Sequence, residues 1–120
     1  MSKANYVDCF VVAVPKKNVE AYRQMAELAG KCWREYGALS YTECLADDVQ
    51  PGKVTSFPQA VQQKDDEVVV VAWVEYESRE ARDRCVEQVM KDPRMNMDPK
   101  SLPFDGARMF WGGFKPLVRF

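Results

Sequence analysis

The sequence predicts an α+β domain with the ferredoxin-like order βαββαβ, in which two helices cover one face of a four-stranded antiparallel sheet. Two observations indicate this fold. Residues 67–77 form a short, β-branched apolar run bounded by charges, as in a central strand, and a charged helical pattern follows at residues 78–93. The same strand-then-helix pattern opens the chain, and right-handed crossovers bring both helices to one side. A length of 120 residues suits a single domain over residues 1–120.

The first half of the chain is predicted to form a strand, a helix and a second strand. In residues 6–14 the side chains that alternate between the two faces are largely apolar on both, so both faces of this strand should be covered. Asn18 is the predicted N-cap of a helix that runs to about Tyr36, because apolar residues recur there at helical spacing. Residues 39–47 alternate as the second strand. Two aromatic residues of the helix are interpreted as core: Tyr22 and Trp33.

The second half supplies the remaining elements. The predicted order is a long connection (residues 48–66), the third strand (67–77), a helix (78–92), a Met- and Pro-rich irregular segment (94–107) and the fourth strand (108–114). Within the connection, Pro58 favours the start of a short helical turn, and Ser78 is a good cap for the second helix. Gly112 and Gly113 in the fourth strand indicate a bulge or a close approach by another group.

Alternation along the strands predicts two different sheet faces. The smaller side chains are expected to lie beneath the helices: Val7, Cys9, Val11, Val70, Ala72 and Val74. The opposite, open face should carry aromatic and acidic side chains: Tyr6, Asp8, Phe10, Tyr41, Glu43, Trp73 and Glu75. An exposed aromatic patch on a small protein usually marks an interface or a ligand site. We therefore predict a symmetric homodimer in which two open faces enclose a cavity.

Composition disfavours several classes of function. The chain has no histidine, which removes Ser-His-Asp and Cys-His catalysis and the usual zinc sites, so no metal or cofactor is expected. The net charge of -1 argues against nucleic acid as a partner. No signal peptide or membrane-length apolar run is predicted, and a cytoplasmic location is expected. The cysteines are interpreted as buried free thiols: Cys9, Cys32, Cys44 and Cys85.

Asp8 is the candidate catalytic residue. A carboxylate that is desolvated beside like charges has a raised pKa and can act as a general acid or base. A structural pair with an arginine is the favoured alternative for Asp8, with three possible partners: Arg79, Arg82 and Arg108. The other candidate ligand-binding residues are Tyr6, Phe10, Tyr41, Glu43, Trp73, Glu75, Arg82 and Arg108. The loop candidates are Asp47, Asp48, Thr55, Ser56, Phe57, Phe104 and Asp105, of which Asp47 and Asp48 are a weak metal signal.

Motifs along most of the chain carry a family resemblance. They are Glu43-Cys44, Asp47-Asp48-Val49, Thr55-Ser56-Phe57-Pro58-Gln59-Ala60-Val61, Val89-Met90-Lys91-Asp92-Pro93-Arg94-Met95, Pro103-Phe104-Asp105-Gly106 and Gly112-Gly113-Phe114. In these motifs the sequence resembles the YbaA-like family of uncharacterised bacterial proteins. The resemblance implies membership of the dimeric α+β barrel superfamily, which includes cofactor-independent monooxygenases, haem-handling enzymes, isomerases and ligand-sensing domains. It carries over no catalytic residues, and the absent histidine disfavours the haem-handling branch.

Three hypotheses of function follow. The first is a homodimer that binds a small organic molecule in a sheet-face cavity. The second is a cofactor-independent monooxygenase-like or isomerase-like enzyme in which Asp8 or a tyrosine transfers a proton. The third is a structural or protein-interaction dimer, in which the acids hold arginines and side chains fill the cavity.

Overall fold

The computed structural model describes residues 3–120 and contains a four-stranded antiparallel sheet with the strand order β2-β3-β1-β4. The strands are β1 (Tyr6–Pro15), β2 (Ser40–Leu45), β3 (Glu67–Tyr76) and β4 (Phe110–Phe114). The helices are α1 (Val19–Glu35), the short α2 (Phe57–Ala60) and α3 (Arg79–Lys91). Helix α1 joins β1 to β2 and α3 joins β3 to β4, so the predicted ferredoxin-like order is confirmed.

The ends of the elements follow from local capping. The Ser78 hydroxyl accepts a hydrogen bond from the Ala81 backbone N–H at 3.0 Å and starts α3 as predicted. Ser56 caps α2 in the same way, so this helix begins one residue before the predicted Pro58. Asn18 holds the N-cap position of α1, but its side chain donates to the Pro103 carbonyl at 3.1 Å. This bond ties the start of α1 to the segment before β4.

The predicted assignment of the two sheet faces is partly wrong. Tyr6 pairs with Tyr76 across β1 and β3, and Tyr41 pairs with Val74 across β2 and β3. Paired residues share a face, and the core under α1 and α3 contains all four of these side chains. Five residues predicted on the open face therefore lie on the helix-covered inner face: Tyr6, Asp8, Phe10, Tyr41 and Glu43. Three predicted beneath the helices lie on the opposite, outer face: Val7, Cys9 and Val11.

The physical reason is that alternation groups residues only within one strand. Register between strands decides how those groups combine, and packing decides which combined face meets the helices. Here the helices cover the face with the larger rings, because Tyr6, Tyr76 and Trp33 fill the space between sheet and helices. Trp73 pairs with Cys9, so it lies on the outer face, as predicted.

The outer face is covered at one end only. Val61, 1% exposed, packs on Val11, Ala13 and Val69 and holds the connecting loop (residues 46–66) against the sheet. Outside the part that this loop covers, Phe110 and Phe114 of the edge strand β4 are 45% and 58% exposed. The same face carries the exposed thiol of Cys44, which corrects the expectation of four buried cysteines, although Cys32 and Cys85 are fully buried.

Gly113 of β4 has no room for a side chain. A Cβ atom there would collide with the Tyr6 hydroxyl, so the predicted close approach by another group is observed. Gly113 also pairs with Asp8 across β1 and β4, and the Tyr6 hydroxyl and the Asp8 carboxylate both contact Arg82. Among residues 3–120, no helix is both long enough and apolar enough to cross a bilayer.

Candidate functional site

An inner cavity of about 770 Å³ lies between the inner face of the sheet and helices α1 and α3. The methionine segment (residues 92–109), which links α3 to β4 through three short 3-10 turns, forms its remaining wall. Four of the predicted site residues on the sheet line this cavity: Asp8, Phe10, Tyr41 and Glu43. Arg82 of α3 and Phe104 of the methionine segment line it too, so the fold brings together candidates far apart in sequence.

The walls of the inner cavity are aromatic and sulfur-rich. Trp33 packs on Tyr41 with ring centroids 5.8 Å apart, and Tyr22 meets Phe104 edge-on at 5.7 Å. Every methionine of residues 3–120 lines the cavity: Met25, Met90, Met95, Met97 and Met109. Methionine is unbranched and polarisable and adapts to irregular shapes, so this wall suits a variable apolar body.

Glu43 is the centre of the first polar cluster, the tyrosine–glutamate trio of Tyr22, Tyr41 and Glu43. The Tyr41 hydroxyl donates to Glu43 Oε2 at 2.6 Å, and the Tyr22 hydroxyl donates to Oε1. Burial, followed by the charge of Glu43, raises the pKa of both phenols well above their usual range. Both tyrosines therefore stay protonated and keep their protons directed at the carboxylate.

Asp8 and Arg82 form the second polar cluster. Arg82 Nη1 donates to Asp8 Oδ1 at 2.8 Å, Nε donates to Asp83 at 2.8 Å, and Nη2 donates to the Tyr6 hydroxyl at 3.2 Å. Of the three arginines considered as partners of Asp8, Arg82 is the one that contacts it. Burial raises the pKa of Asp8 above its ordinary value, against the opposing effects of Arg82 and the Tyr76 hydroxyl.

A hydrogen-bonded chain connects Asp8 to the aromatic wall. The indole N–H of Trp33 donates to the Tyr76 hydroxyl at 3.1 Å, and the Tyr76 hydroxyl interacts with Asp8. Burial first, and then the charge of Asp8, raises the pKa of Tyr76 well above its usual range. The contacts therefore run from Trp33 through the protonated Tyr76 hydroxyl to Asp8. The Asp8 carboxylate is held by Tyr76 and by Arg82.

Other sequence candidates lie outside the inner cavity. Trp73 and Glu75 are on the outer face, where Glu75 accepts a hydrogen bond from Ser40 at 2.7 Å. Arg108 pairs with buried Glu67 through two bonds of 2.8 and 2.6 Å and also binds the Gln62 carbonyl at 2.9 Å. Arg108 therefore anchors the end of the connecting loop.

The loop candidates are mostly exposed or structural. Asp47, Asp48 and Thr55 are exposed, and Phe57 is half-exposed. Ser56 caps α2, while Asp105 caps a 3-10 turn and binds Arg108 at 2.9 Å. Within residues 3–120, no group of three or more His, Cys, Asp or Glu side chains is placed to hold a metal ion.

A second groove, of about 1000 Å³, lies between α1 and the edge strand β2. The tyrosine–glutamate trio lines both spaces and forms the wall between them. Exposed charged residues of α1 edge this groove, among them Arg23, Glu27 and Lys31. The groove is the more open of the two spaces, so it encloses a ligand less well than the inner cavity does.

Sequence reasoning missed several cavity residues. The spacing predicts Tyr22 and Trp33 as core residues, yet both side chains line the inner cavity. Tyr76 lines it too. One signal in the sequence could have indicated a cavity next to these residues: the high share of methionine in the irregular segment before the fourth strand. A core that is filled by closely packed side chains has less use for such adaptable residues.

Comparison with known proteins places the chain in a family. A family model described as a protein of unknown function, DUF1428, matches residues 5–106. The uncharacterized protein YbaA of Escherichia coli strain K12 is 50% identical over 113 residues, covering 94% of this chain and 97% of YbaA. The chain belongs to the DUF1428 family. YbaA of Shigella flexneri is also 50% identical over 113 residues, covering 94% of this chain and 97% of YbaA.

The fold of this DUF1428 chain has a solved counterpart. The crystal structure of a dimeric ferredoxin-like protein from an uncultured marine organism matches with a TM-score of 0.58 and covers 98% of this chain and 91% of its own. The two sequences are 8% identical, so the likeness concerns the fold alone. The predicted YbaA-like family and ferredoxin-like fold are both confirmed.

Proposed function

We propose that this protein is a homodimer in which each protomer binds a small organic molecule in its own inner cavity. One observation carries the proposal: a space of about 770 Å³ with aromatic and methionine walls also holds two fixed polar clusters, at Glu43 and at Asp8. Ligand sites combine largely apolar walls with a few oriented polar groups in this way. The ligand position beneath the helices replaces the predicted chamber between two sheets.

The size of the inner cavity disfavours the purely structural hypothesis. That hypothesis requires the acids to hold arginines and side chains to occupy the space between them. Asp8 does hold Arg82, but the cavity beside this pair is of the size that small-molecule sites have.

Untargeted mass spectrometry of molecules that co-purify with the native protein tests the binding proposal. We expect one compound class to be enriched with wild type and lost with Val86→Trp, which places an indole in the cavity from α3. Val54→Trp is the matched control, because Val54 is 93% exposed in the connecting loop. Equal recovery from both variants, or no recovery from wild type together with no binding of any added probe, would refute the proposal.

The outer face supports the dimer. Its uncovered end carries Phe110 and Phe114, and an exposed aromatic patch of this kind is costly in water. The similar marine protein is described as dimeric. A two-fold pairing of outer faces would bury these rings and leave both inner cavities untouched.

Sedimentation equilibrium tests the dimer separately. Phe114 and Trp111 are exposed aromatics of the same strand that point to opposite faces of the sheet. We expect Phe114→Glu to raise the dimer dissociation constant at least about a hundredfold, because it buries an unpaired charge. Trp111→Glu should leave the dimer intact. A monomeric wild type at micromolar concentration would overturn the dimer and leave the ligand proposal standing.

A cofactor-independent oxygenase or isomerase is the second candidate function. It is favoured by Asp8, a 6% exposed carboxylate with a raised pKa at the edge of the cavity. The test is product formation from the co-purified compound class under oxygen by wild type and by Asp8→Asn. Turnover lost in the variant with binding retained supports catalysis, and binding without turnover in wild type rejects it.

A further inference from the structure

We infer that the inner cavity selects an organic cation, an ammonium group on a bulky aromatic or branched apolar body, with its nitrogen at Glu43. This inference deepens the proposed function and depends on it. It follows from the direction of the hydrogen bonds at Glu43, from the engagement of Arg82 and from the rings beside the carboxylate. Each of these features disfavours an anion.

The tyrosine–glutamate trio presents acceptors to a ligand. Both phenol protons are donated to Glu43, one to each carboxylate oxygen. The carboxylate and phenol oxygens keep further lone pairs, whereas the two O–H donors are already used. A ligand that binds at this trio must therefore bring the donor itself, and an ammonium N–H brings the donor together with a compensating charge.

Arg82 is the one basic residue among the cavity-lining side chains of residues 3–120, and its guanidinium is engaged. Its three nitrogens bind Asp8, Asp83 and the Tyr6 hydroxyl, and its carbon lies 4.9 Å from the centre of the Tyr6 ring. Four carboxylates and one guanidinium line the cavity, which leaves a formal balance of −3: Asp8, Glu43, Asp83 and Glu87 against Arg82. A carboxylate or phosphate ligand would meet this negative field, and the charge of the one guanidinium there is already paired with two carboxylates.

Aromatic rings flank the position proposed for the nitrogen. Tyr22 and Tyr41 reach Glu43 from two elements, and Trp33 packs on Tyr41. Ring faces attract cations, and the attraction is stronger in a desolvated site. The methionine segment then offers an adaptable wall for the apolar body of the ligand. The groups for charge recognition and for apolar recognition thus line the same cavity.

The experiment compares three probes that share one apolar body: phenylbutylamine, phenylbutanol and phenylbutanoate. Isothermal titration of the wild-type protein with each probe at neutral pH measures the preference directly. We expect the amine to bind at least about tenfold more tightly than the alcohol, since a charge-assisted hydrogen bond contributes more than a neutral one, and the carboxylate to bind weakest. Added salt should weaken amine binding and leave alcohol binding unchanged.

Matched charge variants locate the preference. Glu43→Gln should lower amine affinity about tenfold and leave alcohol affinity unchanged, because the amide keeps an acceptor but loses the charge. Glu75→Gln makes the same net-charge change on the outer face and should leave both affinities at wild-type values. If the amide variant unfolds, the wild-type probe series still decides. Equal or tighter binding of alcohol or carboxylate overturns the cation while keeping the cavity as a site; binding of none of the three overturns both.

Discussion

Two buried carboxylates of the sheet each pair with an arginine, and the two pairs behave differently. Glu67 at the start of β3 is held by Arg108 through two bonds and also accepts the Lys64 backbone N–H at 2.8 Å. Asp8 in β1 receives one bond of 2.8 Å from Arg82, whose other nitrogens turn to Asp83 and Tyr6. Both carboxylates are less than a tenth exposed.

The pKa of Glu67 is lowered, chiefly by the Arg108 hydrogen bonds, whereas burial raises the pKa of Asp8. The number of donors that reach each carboxylate accounts for the opposite directions. Both carboxylate oxygens of Glu67 accept hydrogen bonds, and these bonds hold the end of the connecting loop against the sheet. Asp8 is bonded by one arginine nitrogen and the Tyr76 hydroxyl, and it lies beside the inner cavity. A buried acid–arginine pair is therefore a structural anchor in one place and part of a cavity wall in the other.

Breaking the Glu67–Arg108 pair should have the largest effect on stability. We expect Glu67→Gln to lower the free energy of unfolding by about 3 kcal/mol, because the guanidinium of Arg108 loses its buried bidentate partner and keeps only the half-exposed Asp105 and backbone carbonyls. Urea denaturation at neutral pH and fixed protein concentration measures the change. Glu20→Gln, in an exposed helical ion pair with Arg23, is the control and should leave the midpoint unchanged. Equal midpoints for the two variants would remove the distinction between the pairs.

Breaking the Asp8–Arg82 pair should lower the stability less. We expect Asp8→Asn to lower the free energy of unfolding by about 1 kcal/mol, because Arg82 keeps Asp83 and the Tyr6 ring and the amide still accepts a bond. The double variant Asp8→Asn, Asp83→Asn should cost more than the sum of its single changes, since Arg82 then loses both carboxylates. Strict additivity in the same denaturation assay would argue that Asp83 does not compensate for Asp8.

The smallest expected effect is a pair of opposite pH slopes. Glu67 has a folded-state pKa below its ordinary 4.5, so the unfolded chain binds the proton more readily; its stabilisation is present above that value and is lost as the pH falls through the folded-state pKa. Asp8 has a folded-state pKa above its ordinary 3.8, so its contribution is present below that value and is lost as the pH rises through the raised pKa.

Denaturation between about pH 3 and about pH 7 measures both slopes. The stability gap between wild type and Glu67→Gln should shrink as the pH falls. The gap between wild type and Asp8→Asn should grow over the same range, with a change on the order of 1 kcal/mol in each case. Parallel slopes for the two variants would mean that the two carboxylates have similar environments.

Local patterns were sufficient to predict the elements, and their boundaries shifted by only a few residues. Ser78 began α3 where a capping serine should, and the order of strands and helices led to the ferredoxin-like fold. Site prediction from the same patterns was mixed. Asp8, Tyr41 and Glu43 were proposed together and do lie together, but beneath the helices instead of on the open face.

Sequence alone therefore determined the element order, the family and the presence of acids among aromatics on the strands, because these depend on local spacing and on residue identity. Tertiary structure alone decided which sheet face meets the helices, which arginine each acid binds and that every described methionine lines one cavity. The physical reason is that strand register and helix packing join residues that are far apart in the chain, such as Asp8 and Arg82, which are separated by 74 positions. Such contacts leave no periodic trace in the chain.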